Sequence, residues 1–586
     1  MCRENGHHGQ SENGPGALAP GVLASWSRLK APTMKRLLLL FLFLPLLSHA
    51  QSKLQEYWCS LLLNGVTVGF LHQTTWQTDD GLLRSEIEQT MEIRRFGVPF
   101  SMTQTDVWIE HGGGELVSAS SELDMNGQRQ LVEARVAEGG LRVELRRAGE
   151  ADESFLPLED KPRGLYAIDR EIAATVTGLN GKRELDYPLF CPETMKIEEF
   201  RMRVLGPGEL EDSLGRTHRG VLVEERSSGL PGVVTTEVYD EQARFLFSRT
   251  PVGLALEILR LEGEPRQAAD EKTGVPSGGE QNEEFAAVFD VASLTVAVRG
   301  LEDLPLETTD AVTVLFRGQG VATLYEAVRR AEEDLGCPTQ AGDAPLRIVS
   351  TKLDARGAVS ELVLRVANRP LAAGRSESGW AESGSADPPR PHATSIPPEV
   401  RSYLDGSFHL NLADPRLAEL LDRCGVAEDG SFAAAGSEVG TGCGSATRND
   451  PDRVLCLERL VDRYIENKSL AYGFAGLEEI LDGREGDCTE HALLLVALLR
   501  KAGFPSRLAY GLILTESGFL GHAWVELFAG GRWRWLDPSF PGGSPYGLKV
   551  RLGVMDPAQP VWASLSLSLL QVIGSVEAEI LETEPR

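Results

Sequence analysis

The sequence predicts an α+β multidomain chain: a β-rich N-terminal region, a mixed middle segment and a C-terminal domain that opens with helices. Three observations predict it. From Tyr57 to Leu261, strand-length apolar segments alternate with turn signals, and helical periodicity is nearly absent. Two polar stretches rich in Pro, Gly and charge, 262–284 and 373–398, interrupt the chain. After the second, apolar residues recur at helical spacing behind explicit start signals, and strand-like runs follow. A length of 586 residues is too great for one core and fits this division.

In chain order, Met34-Lys35-Arg36 precedes the apolar run Leu37 to Leu47 and the small-residue site Ser48-His49-Ala50. This is the layout of a signal peptide over 34–50, with cleavage after Ala50 and export to the periplasm or the extracellular space. The run is about half the length of a membrane span, so no stable span is expected. Residues 1–33 would bury the signal inside the chain, and they read as a non-native N-terminal extension before the true start at Met34.

Cleavage after Ala50 changes the charge and the cysteine count. With 58 Lys plus Arg against 86 Asp plus Glu the full chain carries −28, and the mature chain −31. Nucleic acid is excluded as a partner, because displacing its counterions needs clustered cations and the sequence holds no basic stripe. Seven cysteines remain after cleavage: Cys59, Cys191, Cys337, Cys424, Cys443, Cys456 and Cys488. An odd number in an oxidising compartment leaves at least one thiol outside internal pairs.

The β-rich domain spans 51–261. Gly65–Trp76, Leu83–Ile93, Met102–Glu110, Gln130–Val136 and Leu141–Arg146 read as strands of an antiparallel sheet or open barrel. The small mixed α/β segment, 285–372, has strands at Ala311–Phe316 and Glu361–Val366 around a helix at Tyr325–Leu335. The last domain spans 399–586. Asp414-Pro415 and Asp450-Pro451 each set a capping carboxylate before a proline, the second opening an amphipathic helix from Pro451 to Glu466. The Gly-rich stretch Gly425 to Asn449 between them is of a length usually functional or mobile. Trp562 to Ile573 is too short to span a membrane and reads as packed.

Chemistry concentrates at Gly486-Asp487-Cys488-Thr489-Glu490-His491. It leads into Ala492 to Ala502, apolar nearly all round and stopped by Arg500, Lys501 and Gly503. Cys488 therefore sits in the first turn of a buried helix, where the dipole favours thiolate. Downstream, His522 to Phe528 and Arg532 to Asp537 flank Ala529-Gly530-Gly531, the mark of a tight hairpin. If residues 529 and 532 pair, Asp537 faces Trp524, and His522 and Asp537 become diagonal neighbours on one face. That is roughly 7 to 8 Å between Cα atoms, close enough for an imidazole–carboxylate bond. A slip of one residue would separate them.

A thiolate at a helix start with an oriented imidazole composes a nucleophilic triad. Cys488 attacks an amide carbonyl, His522 moves the proton, Asp537 fixes the imidazole tautomer, and the Cys488 backbone N–H serves the oxyanion. Tyr472 is the candidate for a second oxyanion donor.

The runs GDCTEHA, GFPSR, HAWVE and WRWLDPS resemble the Cys, His and Asp boxes of the transglutaminase-like superfamily, related to papain-type thiol enzymes. The strong resemblance covers about residues 470–540. It implies a papain-like α+β fold in the C-terminal part and a triad of Cys488, His522 and Asp537. It leaves the reaction open, since members include transamidating enzymes, peptidases and inactive domains. The calcium dependence of animal transglutaminases is not carried over, because no calcium-site motif is evident.

Other residues have plainer readings. His491 is a rival base that nothing nearby in sequence orients. Cys488, Glu490, His491 and His522 lack the paired spacing of a zinc site. Neither metal nor cofactor is expected. Trp524, Trp533 and Trp535 read first as sheet packing and second as a substrate groove. Asp487 reads as a cap or loop residue, and Glu526 as a surface residue or a support of His522. The expected function is an exported thiol enzyme on amide bonds of proteins or peptides, a peptidase or amidase ahead of a transamidase. The alternative is a catalytically inactive binding module of an envelope assembly.

Overall fold

The computed structural model describes residues 52–586 except 96–97, 148–149, 159–161, 230–232, 253, 266–294, 303, 336–344, 356, 369–395, 407–409, 427–449, 470–474, 530, 541–546, 556–568, 570–571 and 586. The proposed leader, most of both linkers, Cys337, Cys443 and Tyr472 lie outside the described residues.

The N-terminal region is one 14-stranded antiparallel sheet. Its first limb runs through β1 (Ser52–Leu63), β2 (Val66–Gln77), β3 (Leu83–Arg95), β4 (Val98–Glu110), β5 (Leu116–Met125), β6 (Gln128–Ala137), β7 (Gly140–Arg147) and β8 (Glu150–Pro157). Helix α1 (Leu165–Val176) follows. The second limb is β9 (Glu184–Cys191), β10 (Lys196–Glu211), β11 (Thr217–Ser227), β12 (Thr235–Tyr239), β13 (Phe245–Val252) and β14 (Leu254–Leu261). β14 returns to pair with β1, so the order is β8 back to β1, then β14 back to β9.

Alternation explains the strands, as in Leu141, Val143 and Leu145, which point into the core while Arg142 is exposed. The sheet coils on itself. Trp108 on β4 donates its indole N–H to the Phe190 carbonyl on β9 at 3.0 Å, although the two strands lie far apart in sheet order. Helix α1 packs against β3, β4 and β9. The buried carboxylate of Glu110 on β4 caps it, accepting from the Tyr166 and Ala167 N–H groups at 3.0 Å each. Gly164 permits this approach, since a Cβ there would lie 1.9 Å from Glu110 Oε2.

The middle segment contributes β15 (Val298–Arg299), β16 (Thr309–Gly318), α2 (Val321–Leu335), β17 (Leu346–Leu353) and β18 (Val359–Ala367). The C-terminal part then builds a 3₁₀ helix (Pro398–Leu404), α3 (Pro415–Asp422), α4 (Asp450–Tyr464), α5 (Leu477–Gly483) and α6 (Cys488–Lys501). After them come β19 (Ser506–Thr515), β20 (Gly518–Ala529), β21 (Arg532–Leu536), β22 (Lys549–Met555) and β23 (Val576–Pro585). Asp414 caps α3 as its sequence implies, its side chain accepting from the Arg416 N–H at 2.9 Å before Pro415.

Strands β19 to β22 form a sheet in the order β21-β20-β19-β22. β23 leaves that sheet and joins the middle segment, in the order β15-β23-β16-β18-β17. The two parts also share a core, in which Val314, Phe316, Leu324 and Leu364 pack with Leu512, Phe519 and Val550. A second core wraps α6 with α3, α4, α5 and one face of β20. Arg147 on β7 reaches Glu479 on α5 at 3.0 Å, tying the N-terminal sheet to the helices.

Candidate active site

Helix α6 is fixed at its start by a reciprocal cap. Asp487 accepts from the Thr489 N–H at 2.8 Å, and Glu490 folds back to accept from the Asp487 N–H at 2.8 Å. The other oxygen of Glu490 accepts from the Ala475 N–H at 3.0 Å, so the segment before α5 hangs on the same carboxyl. Gly486 makes room for this, since a Cβ there would meet Glu490 Cβ at 2.3 Å. Burial, and then the charge of Asp487, push the Glu490 carboxyl well above the usual range. The positive pole of α6 meets Asp487 and the half-buried Cys488, the first residue of the helix. Ala492 to Leu499 are buried on all sides, so this pole cannot drift.

The hairpin has the register worked out above: Ala529 pairs with Arg532 and Val525 with Leu536. Asp537 follows directly after β21, and its Oδ2 lies 2.8 Å from His522 Nε2. Both side chains are 5% exposed. A carboxylate only accepts, so Nε2 carries the proton and Nδ1 is left as the basic nitrogen. The imidazole stacks towards Trp524 on one side, and the Phe540 ring lies 5.5 Å away.

Asp537 is held on every side. Its Oδ1 accepts from the Ser539 N–H at 3.2 Å, its own N–H donates to Glu458 Oε1 of α4 at 2.7 Å, and Lys549 Nζ of β22 approaches Oδ2 at 3.1 Å. Burial alone would raise its pKa. The charges of His522 and Lys549 outweigh burial and hold the carboxyl far below the usual range. The structure thus joins His522 to Asp537 directly, and it places Cys488 on the helix that packs against β20, the strand carrying His522.

The remaining sequence candidates divide. His491 is buried, with Nδ1 donating to the Asp487 carbonyl at 2.6 Å, and burial lowers its pKa. Trp524, Trp533 and Trp535 pack with Ala509, Ile396 and Val400 in a core of their own. Glu526 is wholly buried rather than at the surface, because cations from two other strands reach it. Arg507 Nη2 lies 2.7 Å and Arg551 Nη1 3.0 Å from its Oε2, and the Trp535 indole donates to Oε1 at 3.2 Å. Arg507 stacks over Trp533 at 3.8 Å, and both arginines also pair with Asp334 of α2.

Glu458 and Lys549 escaped sequence reasoning. Glu458 had a signal, a charge set inside the apolar stripe of α4 between Leu457 and Val461. Lys549 had none that distinguishes it from an exposed strand lysine.

The cysteines also divide. Cys424 and Cys456 form a disulfide that ties the end of α3 to α4. Burial pushes the Cys59 thiol up to about 12 and drives Cys191 higher still. Of the three described cysteines outside the disulfide, Cys488 alone is not fully buried.

Residues 441–538 match the Transglutaminase-like superfamily. No curated protein matches the chain. Four solved chains match it, three of which follow. A β-barrel-like protein with a domain of unknown function from Brucella abortus shares 10% identity at a TM-score of 0.28, over 35% of this chain and 94% of that one. A candidate cysteine protease from Cytophaga hutchinsonii shares 14% at 0.23, over 48% and 86%. A candidate protease from Parabacteroides distasonis shares 11% at 0.17, over 74% and 68%.

Proposed function

Proceeding from a transglutaminase-like domain at residues 441–538, we propose that the chain is an exported thiol enzyme acting on amide bonds of proteins or peptides through Cys488, His522 and Asp537. The observation that carries the reading is the His522 Nε2–Asp537 Oδ2 bond in a buried site, with Cys488 at the positive end of the helix packed on the same sheet.

The thiolate of Cys488 attacks the amide carbonyl carbon, and the oxyanion is met by the N–H groups at the start of α6. Collapse breaks the C–N bond while the His522 imidazolium gives its proton to the leaving amine, leaving a thioester. Neutral His522 then takes a proton from water as hydroxide adds to the thioester carbon, collapse expels the Cys488 thiolate and restores the thiolate–imidazolium pair, and the carboxylic acid formed gives its proton to solvent. Asp537 holds the tautomer and stabilises the imidazolium throughout. An amine in place of water would give transamidation. Hydrolysis is the proposed outcome because water needs no second binding site. The Cys424–Cys456 disulfide supports export, since such bonds persist in oxidising compartments.

The test offers the purified mature chain a Gln-containing protein with and without a labelled primary amine. Cleavage that is lost in Cys488→Ser supports the hydrolase reading. Label incorporation dependent on Cys488 replaces it with transamidation, and failure of Cys488 to react with an alkylating probe at neutral pH refutes both.

A further inference from the structure

We propose that Lys549 is a positioning residue of this site: its ammonium shares Asp537 Oδ2 with His522 and so limits how firmly Cys488 and His522 are held as a thiolate–imidazolium pair. The proposal rests on the triad reading above and adds a regulator to it.

The geometry is unusual for a lysine. Strand β22 lies on the far side of β19 from β20. In the ladder, Gly511 of β19 pairs with His522 on one side and Arg551 on the other, and it carries no side chain. A Cβ at Gly511 would stand 2.1 Å from the Val550 carbonyl oxygen. Two cations of β22 reach across the sheet, Lys549 to Asp537 and Arg551 to Glu526. The ammonium and the carboxylate are each only 5% exposed.

Placing such a pair away from water costs each ion its hydration before attraction returns any of it. Hydrogen bonding alone does not call for it. The Asp537 carboxylate already accepts from Ser539 on one oxygen and from His522 on the other. What Lys549 adds is a full positive charge at 3.1 Å from the oxygen that orients the imidazole.

With Lys549 in place, part of the carboxylate's charge is neutralised, and His522 returns more readily to neutral imidazole, the form that takes a proton from water. Without it, Asp537 acts on His522 alone, imidazolium is favoured, and the thiolate with it. The charged groups carried by the elements packed here are Glu458 on α4, Asp487 at the start of α6 and, along the sheet face, Glu526, Arg551, Arg507 and Asp334. Lys549 is the cation that touches Asp537 besides His522 among the described ion pairs.

The experiment follows iodoacetamide alkylation of Cys488 between pH 4 and 10 in the mature chain, read by mass spectrometry of the Cys488 peptide. Wild type, Lys549→Met, Lys549→Gln, Lys549→Arg and His522→Ala are compared, with folding checked by circular dichroism. The expected result is an acid limb moved down by half a pH unit or more in Lys549→Met and Lys549→Gln, about threefold faster alkylation on that limb. Lys549→Arg, which keeps the charge, should follow wild type. Should Lys549→Met fail to fold, Lys549→Gln carries the comparison. Coincidence of the neutral variants with wild type, or an equal shift in Lys549→Arg, overturns the role of Lys549 while leaving the triad reading intact. Coincidence of His522→Ala with wild type overturns the triad reading itself.

Discussion

Replacing Glu526 by Gln is the sharpest probe of the sheet that carries His522. The side chain is 0% exposed and is the shared acceptor of Arg507, Arg551 and Trp535. Gln keeps the shape and removes the charge, leaving two guanidiniums against Asp334, whose side chain is 37% exposed. Removing one partner of a buried charge cluster costs about 3 kcal/mol or more, because the remaining ions stay out of water uncompensated. The chain is too large for one unfolding transition to report this, so the assay is hydrogen exchange resolved by peptide. At about 1.4 kcal/mol per decade, amides of β19 to β22 should exchange on the order of 100-fold faster than in wild type. Asp334→Asn, at the open end of the cluster, should change them by less than about 1 kcal/mol. Arg551→Met should cost less in the Glu526→Gln background than alone, since it relieves a repulsion there. Exchange within threefold of wild type in Glu526→Gln would refute the reasoning, for it would mean the cluster is hydrated and carries little of the fold.

Three further outcomes follow from other sites. The Asp537 carboxyl is depressed on folding, so its contribution to stability is complete above about pH 4 and drains away as pH falls towards its folded value. The gap in opening free energy between wild type and Asp537→Asn over β20 and β21, measured by hydrogen exchange corrected for the intrinsic pH dependence, should therefore be widest near neutrality and narrow below pH 4. Reducing the Cys424–Cys456 disulfide, which closes a loop of sequence separation 32, should destabilise the helical part by roughly 3 to 4 kcal/mol, seen as faster exchange in α3 and α4. Gly164→Ala should drive Glu110 off the start of α1 and cost about 2 kcal/mol, with exchange rising over Leu165–Val176 and not over α6.

Local signals decided what was legible. The Ala529-Gly530-Gly531 turn implied a pairing that carries through to Leu536, and from it the His522–Asp537 contact follows by strand geometry alone. Asp414-Pro415 announced α3, because capping is settled within a few residues, and the apolar run Ala492 to Ala502 with its basic stop announced α6. Helix α1 went unread, though Leu165, Ile168 and Val176 share a face, because it sits alone among strands and its cap comes from Glu110 on β4. The burial of Glu526 depends on Arg507, Arg551 and Asp334, drawn from three separate elements, and no window of sequence brings them together. Lys549 is the same case, since its partner is set by the strand order, which brings β22 within reach of Asp537.

The place of β23 sets an order on the chain's own production. Residues 576–585 pair along β16, more than two hundred positions earlier, and β15 is held in turn by β23. As the polypeptide emerges, the middle sheet stays one strand short until residues 576–585 are delivered. Until then β16, with Val312, Val314 and Phe316, presents an unpaired apolar edge, the kind of surface that recruits strands from other chains. A chaperone that shields this edge until β23 arrives would act on a sheet still missing a strand, and a chain truncated before Val576 would remain permanently in that exposed state.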